Sequence, residues 1–138
     1  MPTVPKPASP FELSVRVYWE DTDAGGVVFY ANYLKFFERA RTEWLRALGV
    51  GQEALKREQQ AMFVVGETAL RYFVPARLDD LLRITVEVRE PGRASLVVAQ
   101  QAWRDGTLLA EGTIRIGCVD SGTFRPRRIP DSILERLA

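Results

Sequence analysis

The sequence contains no histidine and a single cysteine, Cys118. The missing histidine excludes Ser-His-Asp and Cys-His nucleophile systems, the HExxH metal site, and zinc sites built on His and Cys. Acid–base work must fall on carboxylates, tyrosines, lysines or backbone. One cysteine cannot close an internal disulfide, which points to a reducing, cytoplasmic setting. There is no excess of charge either: 19 basic residues against 18 acidic ones leave a net +1. That balance, without aromatics interleaved in a basic stripe, argues against nucleic acid as a partner. No segment reaches the roughly 20 apolar residues of a membrane span, and none has a signal-peptide core.

What remains is enough for one domain. The chain has 138 residues, 46% of them hydrophobic, a length that suits a single core. MPTVPKPASP, residues 1–10, carries four prolines and reads as an extended arm. Residues 11–138 are the expected domain.

Glu12 to Trp19 alternates, with Leu13, Val15, Val17 and Trp19 on one face, and predicts a half-buried strand. Tyr30 to Leu48 changes to helical spacing through Leu34, Phe37, Trp44, Leu45 and Leu48, widened by Tyr33, Phe36, Ala40 and Ala47. Asn32 suits the N-cap of this helix and Gly49 its C-terminal end. A short surface helix is expected over 52–59. The glycines of GVGQEA (49–54) follow a helix, not a strand, and so are no dinucleotide signature. Four further strands are predicted over 63–74, 82–88, 94–103 and 108–119, joined by PARLDD, EPGR and RDG, all turn chemistry. A last helical turn is expected over 131–137. Consecutive strands pair antiparallel. The fold class is therefore α+β: a curved antiparallel sheet around one long, buried helix.

Between the first strand and that helix, Glu20, Asp21 and Asp23 crowd Gly25 and Gly26. An EF-hand is excluded, since its fifth and twelfth positions fall on Gly25 and Asn32. Two readings stay open. Asp and Gly favour turns and helix starts for local reasons. Alternatively, the first N–H groups of the helix, with their share of positive dipole, form an oxyanion hole for a carbonyl. An upstream carboxylate then activates water or attacks a thioester itself. A thioester needs no histidine. The donor would supply roughly 3 kcal/mol and a base about 10²–10⁴-fold.

The stretch DTDAGGVVFYANYLKFFE (21–38), together with FVPARLDD (73–80) and CVDSGTFRPRRIP (118–130), resembles the hot-dog-fold acyl-CoA thioesterases. It is most similar to the 4-hydroxybenzoyl-CoA thioesterase family and its YbgC-like, Tol-Pal-associated subgroup. The resemblance runs from about Val15 to Pro130. It implies a hot-dog fold and acyl-CoA hydrolysis with no metal or separate cofactor, coenzyme A being part of the substrate. Asp23 matches the family's catalytic aspartate. The backbone N–H of Tyr30 matches the group that polarises the thioester carbonyl. Asp21 matches a supporting acid, and Asn32 and Tyr33 match structural helix-start residues. Many YbgC-like members carry histidine where this chain has Tyr30; the backbone donor transfers and a side-chain acid–base role does not.

For the substrate, coenzyme A brings phosphates, so basic residues are expected at the pocket mouth. Arg89 and Arg93 flank EPGR, and Arg125, Arg127 and Arg128 lie in FRPRR; solvated surface charge or anchoring of the tail is the competing reading. Glu67 interrupts an apolar strand, either lining the acyl end or facing solvent. Tyr18 is assigned to packing, Glu38 and Glu43 to secondary candidacy on the helix, and Cys118 to the core. The resemblance further implies a homodimer or homotetramer. A hydroxyacyl dehydratase is disfavoured by the missing histidine. A non-catalytic binder of acyl-CoA or of acyl carrier protein, linked to the cell envelope, is the alternative function.

Overall fold

The computed structural model describes residues 10–137; residues 1–9 of the expected arm lie outside the described residues. Five strands form one sheet in the order β1-β3-β4-β5-β2, with every neighbouring pair antiparallel. They are β1 (Phe11–Arg16), β2 (Ala61–Tyr72), β3 (Leu81–Pro91), β4 (Ser95–Arg104) and β5 (Thr107–Asp120). The long helix α1 (Tyr33–Ala47) crosses one face. Helix α2 (Gln52–Gln59) follows it, and α3 (Asp131–Leu137) closes the described chain. Both short helices lie where their sequence patterns put them. Asp105 and Gly106 make the two-residue turn between Arg104 and Thr107, with Asp105 in the left-handed region at φ 52°.

The core is the interface between α1 and the sheet. Phe36, Phe37 and Ala40 are wholly buried against Leu82, Ile84, Val98 and Ile114. Each buried aromatic or branched side chain contributes about 1.5–3 kcal/mol through removal from water. The helix sits most closely over β3 and β1. One polar side chain penetrates this interface. Gln100, fully buried, donates from Nε2 to the carbonyls of Phe37 and Thr85.

Three expectations need correction. The first strand ends at Arg16, and Trp19 is 80% exposed rather than on the buried face. The Asp21 carboxylate captures the Tyr18 N–H and curls 19–21 into a 3₁₀ turn, which breaks the alternation. Leu34 is 42% exposed and Ala47 is also exposed, because the helix buries a narrower face than its composition suggests. Asn32 does not cap α1 with its side chain, which is committed elsewhere.

Candidate active site

The acidic turn is built by Asp21. Its carboxylate is buried and accepts from the Tyr18 N–H at 2.8 Å and from Asn32 Nδ2 at 2.9 Å. The Asp21 carbonyl accepts the Phe29 N–H at 3.0 Å. One aspartate therefore ties the strand exit, the loop and the start of the helix into a single piece. Asn32, itself buried, is consumed in this tie and not in capping.

Asp23 differs in every respect. It is exposed, and its Oδ1 accepts only the Gly25 N–H, at 2.8 Å. Its own N–H donates to the Val27 carbonyl and its carbonyl accepts the Gly26 N–H. The tight reversal needs φ +79° at Gly26, a backbone state that glycine adopts without strain. Local turn chemistry is thus real at Asp23, yet it leaves Oδ2 with no donor among the described residues. Asp23 borders an open hollow of about 440 Å³ with Trp19, Thr22, Ala24, Gly26 and Leu78.

Tyr30 opens a 3₁₀ turn (Tyr30–Asn32) that leads directly into α1. No acceptor among the described residues takes its N–H, as expected for the first donor of a helical run. Its carbonyl accepts the Tyr72 hydroxyl at 2.9 Å, and the two rings meet edge-on at 6.3 Å. Tyr30 borders a second hollow, of about 190 Å³, with Val28, Tyr33, Tyr72, Phe73, Val74 and Pro75. Asp23 and Tyr30 belong to one loop, seven residues apart, and front the two hollows described above.

The loop that braces this end was legible only as turn chemistry. Ala76 accepts the Val28 N–H through its carbonyl and donates its own N–H to the Tyr33 hydroxyl at 3.2 Å. Asp80 pairs with Arg104 at 2.8 Å and accepts the Arg77 N–H. Burial alone would raise the Asp80 pKa, but these partners outweigh it and hold it below the ordinary carboxylate value. Burial pushes the Tyr33 hydroxyl up, against the opposing Ala76 N–H, so it stays neutral. Tyr33 and Tyr72 count as apolar in a periodicity reading; nothing in spacing marks their hydroxyls.

The expected phosphate-binding arginines lie at the other end of the sheet. Arg127 donates to the Gln59 carbonyl at 2.7 Å, and Arg128 pairs with Asp131 at 3.4 Å, so both help to anchor the tail. Arg93 accepts the Ile129 N–H through its carbonyl, while Arg89 borders a groove on the outer sheet face. Arg125 is exposed. Glu67 is exposed on β2, beside a bulge, 3.9 Å from Arg115. Cys118 is buried, with its thiol pushed up by desolvation. Among the described residues no three His, Cys, Asp or Glu side chains gather as a metal site, and no helix is long and apolar enough to cross a membrane.

Known proteins share this architecture. The chain is 48% identical over 123 residues to the acyl-CoA thioesterase YbgC of Haemophilus influenzae, covering 89% of this chain and 90% of the relative. It is 33% identical to the acyl-CoA thioesterase YbgC of Helicobacter pylori strain J99, over 91% of this chain and 98% of that protein. The solved structure of a probable thioesterase from Bartonella henselae superposes with a TM-score of 0.83 at 32% identity, covering 86% of this chain and 98% of that one. The sheet and helix are thus the hot-dog arrangement. The thioesterase-like superfamily model matches residues 17–137, and the chain belongs to that superfamily.

Proposed function

We propose that the protein hydrolyses acyl-CoA thioesters to a free carboxylic acid and coenzyme A, with Asp23 as base or nucleophile and the Tyr30 N–H as oxyanion donor. The observation that carries this reading is the unclaimed Tyr30 N–H at the start of the helix, in the same loop as the exposed Asp23. The donor fixes the thioester oxygen and gains strength as negative charge develops there. As general base, Asp23 removes a proton from water while the water oxygen bonds to the carbonyl carbon. The tetrahedral intermediate collapses, the C–S bond breaks, and the thiolate of coenzyme A takes up the proton. As nucleophile, Asp23 displaces the thiolate to give a mixed anhydride that water then opens. The relatives named YbgC are acyl-CoA thioesterases, which favours coenzyme A over other thiols.

The reading extends to assembly. The β2 edge is twelve residues long and carries an exposed Val65, whereas the β1 edge has only six residues. An open edge of that kind calls for a partner strand. Pairing two β2 edges antiparallel about a two-fold sets the Ala61 end of one copy beside the Tyr72 end of the other. The FRPRR stretch, anchored at Gln59, then approaches the second copy's Tyr30, where it can meet the phosphates of coenzyme A. The arm of residues 1–10, the single domain over 11–138 and a cytoplasmic location belong to the same proposal, the last resting on the lone Cys118.

The test is free-thiol release from a panel of acyl-CoAs, with native protein and Asp23→Asn assayed together. Turnover that falls at least about 10²-fold in the variant is expected. Saturable acyl-CoA binding without turnover, in folded protein, would instead support a non-catalytic binder or a carrier-protein substrate.

A further inference from the structure

Arg41 makes no salt bridge with another described residue and is half-buried. It projects from the middle of α1, and its sole hydrogen-bond acceptor among the described residues is the neutral amide oxygen of Gln100, at 2.9 Å. Every polar atom of Gln100 is already used: its Nε2 holds Phe37 and Thr85, and its Oε1 holds Arg41. The Arg41 guanidinium is thereby fixed in place at the cost of burying a polar side chain in the core. Burial lowers its pKa, opposed only by Glu38, one turn back on the helix. A guanidinium presents five N–H donors; this one uses one of them on Gln100 among the described residues, and Arg41 lines the hollow beside it.

That hollow is about 70 Å³ and lies between α1 and the sheet, beside Phe63, Val64 and Val65 of β2. Its walls include Glu38, Arg41, Leu45, Phe63 and Ile116, and the other two polar side chains that line it, Thr42 and Gln52, bond to each other. The volume holds a few atoms, the end of a chain rather than its body. Leu34, Glu38, Arg41 and Leu45 follow one another along the same flank of α1. Leu34, one turn before Glu38, is exposed. Strand β2 runs alongside, from Tyr72 near Tyr30 back to Phe63 near Arg41. From Tyr30 to Arg41 the helix rises about 16 Å. At roughly 1.2 Å per bond of extended chain, that distance matches an acyl group of about a dozen carbons.

We propose that Arg41 and Glu38, which both line the hollow at the end of this flank, form a specificity site that selects acyl groups carrying a hydroxyl at their far end. The inference rests on the acyl-CoA reading above and adds the class of acyl group. A hydroxyl accepts from the Arg41 N–H and donates to the Glu38 carboxylate, satisfying both. A terminal methyl satisfies neither, and a terminal carboxylate meets Arg41 but is opposed by Glu38. The apolar walls from Leu45, Phe63 and Ile116 suit the methylenes that lead to it. Gln100 acts here as a positioning residue, through Arg41.

The test uses two non-hydrolysable thioethers, S-dodecyl-CoA and S-(ω-hydroxydodecyl)-CoA, titrated calorimetrically into native protein, Arg41→Met and Glu38→Gln. Native protein is expected to bind the hydroxylated analogue about tenfold more tightly, the scale of a hydrogen bond to a charged group. Arg41→Met should abolish or reverse that ratio, and Glu38→Gln should reduce it. Comparing two ligands within each variant removes general losses of folding. Should Arg41→Met fail to fold, the native ratio and Glu38→Gln decide. Equal affinities in native protein, tighter binding of the plain chain, a ratio unchanged in the variants, or no binding of either analogue would each overturn the proposal. Turnover of dodecanoyl-CoA without the binding preference would sink this inference alone. The preference without turnover of any acyl-CoA would sink the hydrolytic reading and leave the site standing.

Discussion

The two ends of α1 are finished in opposite ways. At the C-terminal end, Val50 donates to the Leu45 carbonyl, Gly49 to that of Arg46, and Arg136 to that of Leu48. Gly49 takes φ +83°, and the turn is a complete Schellman motif. At the N-terminal end no side chain caps the helix, Asn32 turns away to Asp21, and the Tyr30 N–H has no acceptor among the described residues. Around it Phe29, Tyr30 and Tyr72 are exposed at 46%, 65% and 45%. The closed end serves stability. The open end keeps a donor and apolar surface available, and it is rigid because Asp21 and the Ala76 loop hold it from beneath.

Removing the brace should collapse the open end. Asp21→Ala strips the acceptor from two donors, one of them the buried Asn32, at about 1–3 kcal/mol for each group left unsatisfied. Chemical denaturation should read a loss of about 2–5 kcal/mol, with activity falling beyond what the unfolded fraction explains. At the closed end, Gly49→Ala forces a left-handed residue to carry a side chain, and its Cβ would lie 2.9 Å from Arg136. That contact yields, since the arginine tip is flexible, and the backbone term remains. A loss of about 1–2 kcal/mol is expected, with turnover per folded molecule unchanged.

The smallest effect is in acid. The Asp80 pKa is depressed in the folded state, so its contribution is present above the unfolded carboxylate value and is lost as pH falls through the lower, folded one. Its pair with Arg104 is about a quarter exposed, at 29% and 22% for the two side chains, and contributes about 1 kcal/mol or less. Thermal melts of native protein and Asp80→Asn should therefore differ at neutral pH and begin to converge only as pH falls below the ordinary carboxylate value, about 3.9.

The sheet, the helix and the two short helices were legible because period-2 and period-3.6 patterns report burial directly. Leu82 to Val88 and the 131–137 turn are plain cases. The acidic turn was legible as chemistry and misread in part as structure. Trp19 follows Val17 in register, yet Asp21 bends the chain before it. Asn32 looks like a cap, yet its partner is eleven residues upstream. Asp21 and Asp23 are indistinguishable in composition; only the fold buries one and leaves the other exposed. Contacts between Tyr33 and Ala76, or Arg41 and Gln100, join residues 43 and 59 positions apart, beyond any local signal.

The central claim is that the open helix end polarises the substrate through backbone and not through a side chain. Tyr30→Pro tests it. Phe29, at φ −59° and ψ 130°, already has the conformation a residue before proline adopts. Proline fits the first position of a helical turn, and it removes only the N–H and the ring. Tyr30→Ala removes the ring and keeps the N–H. The rate constant for thiol release should fall about 10²–10³-fold in Tyr30→Pro relative to Tyr30→Ala. Equal rates in the two folded variants would contradict the account.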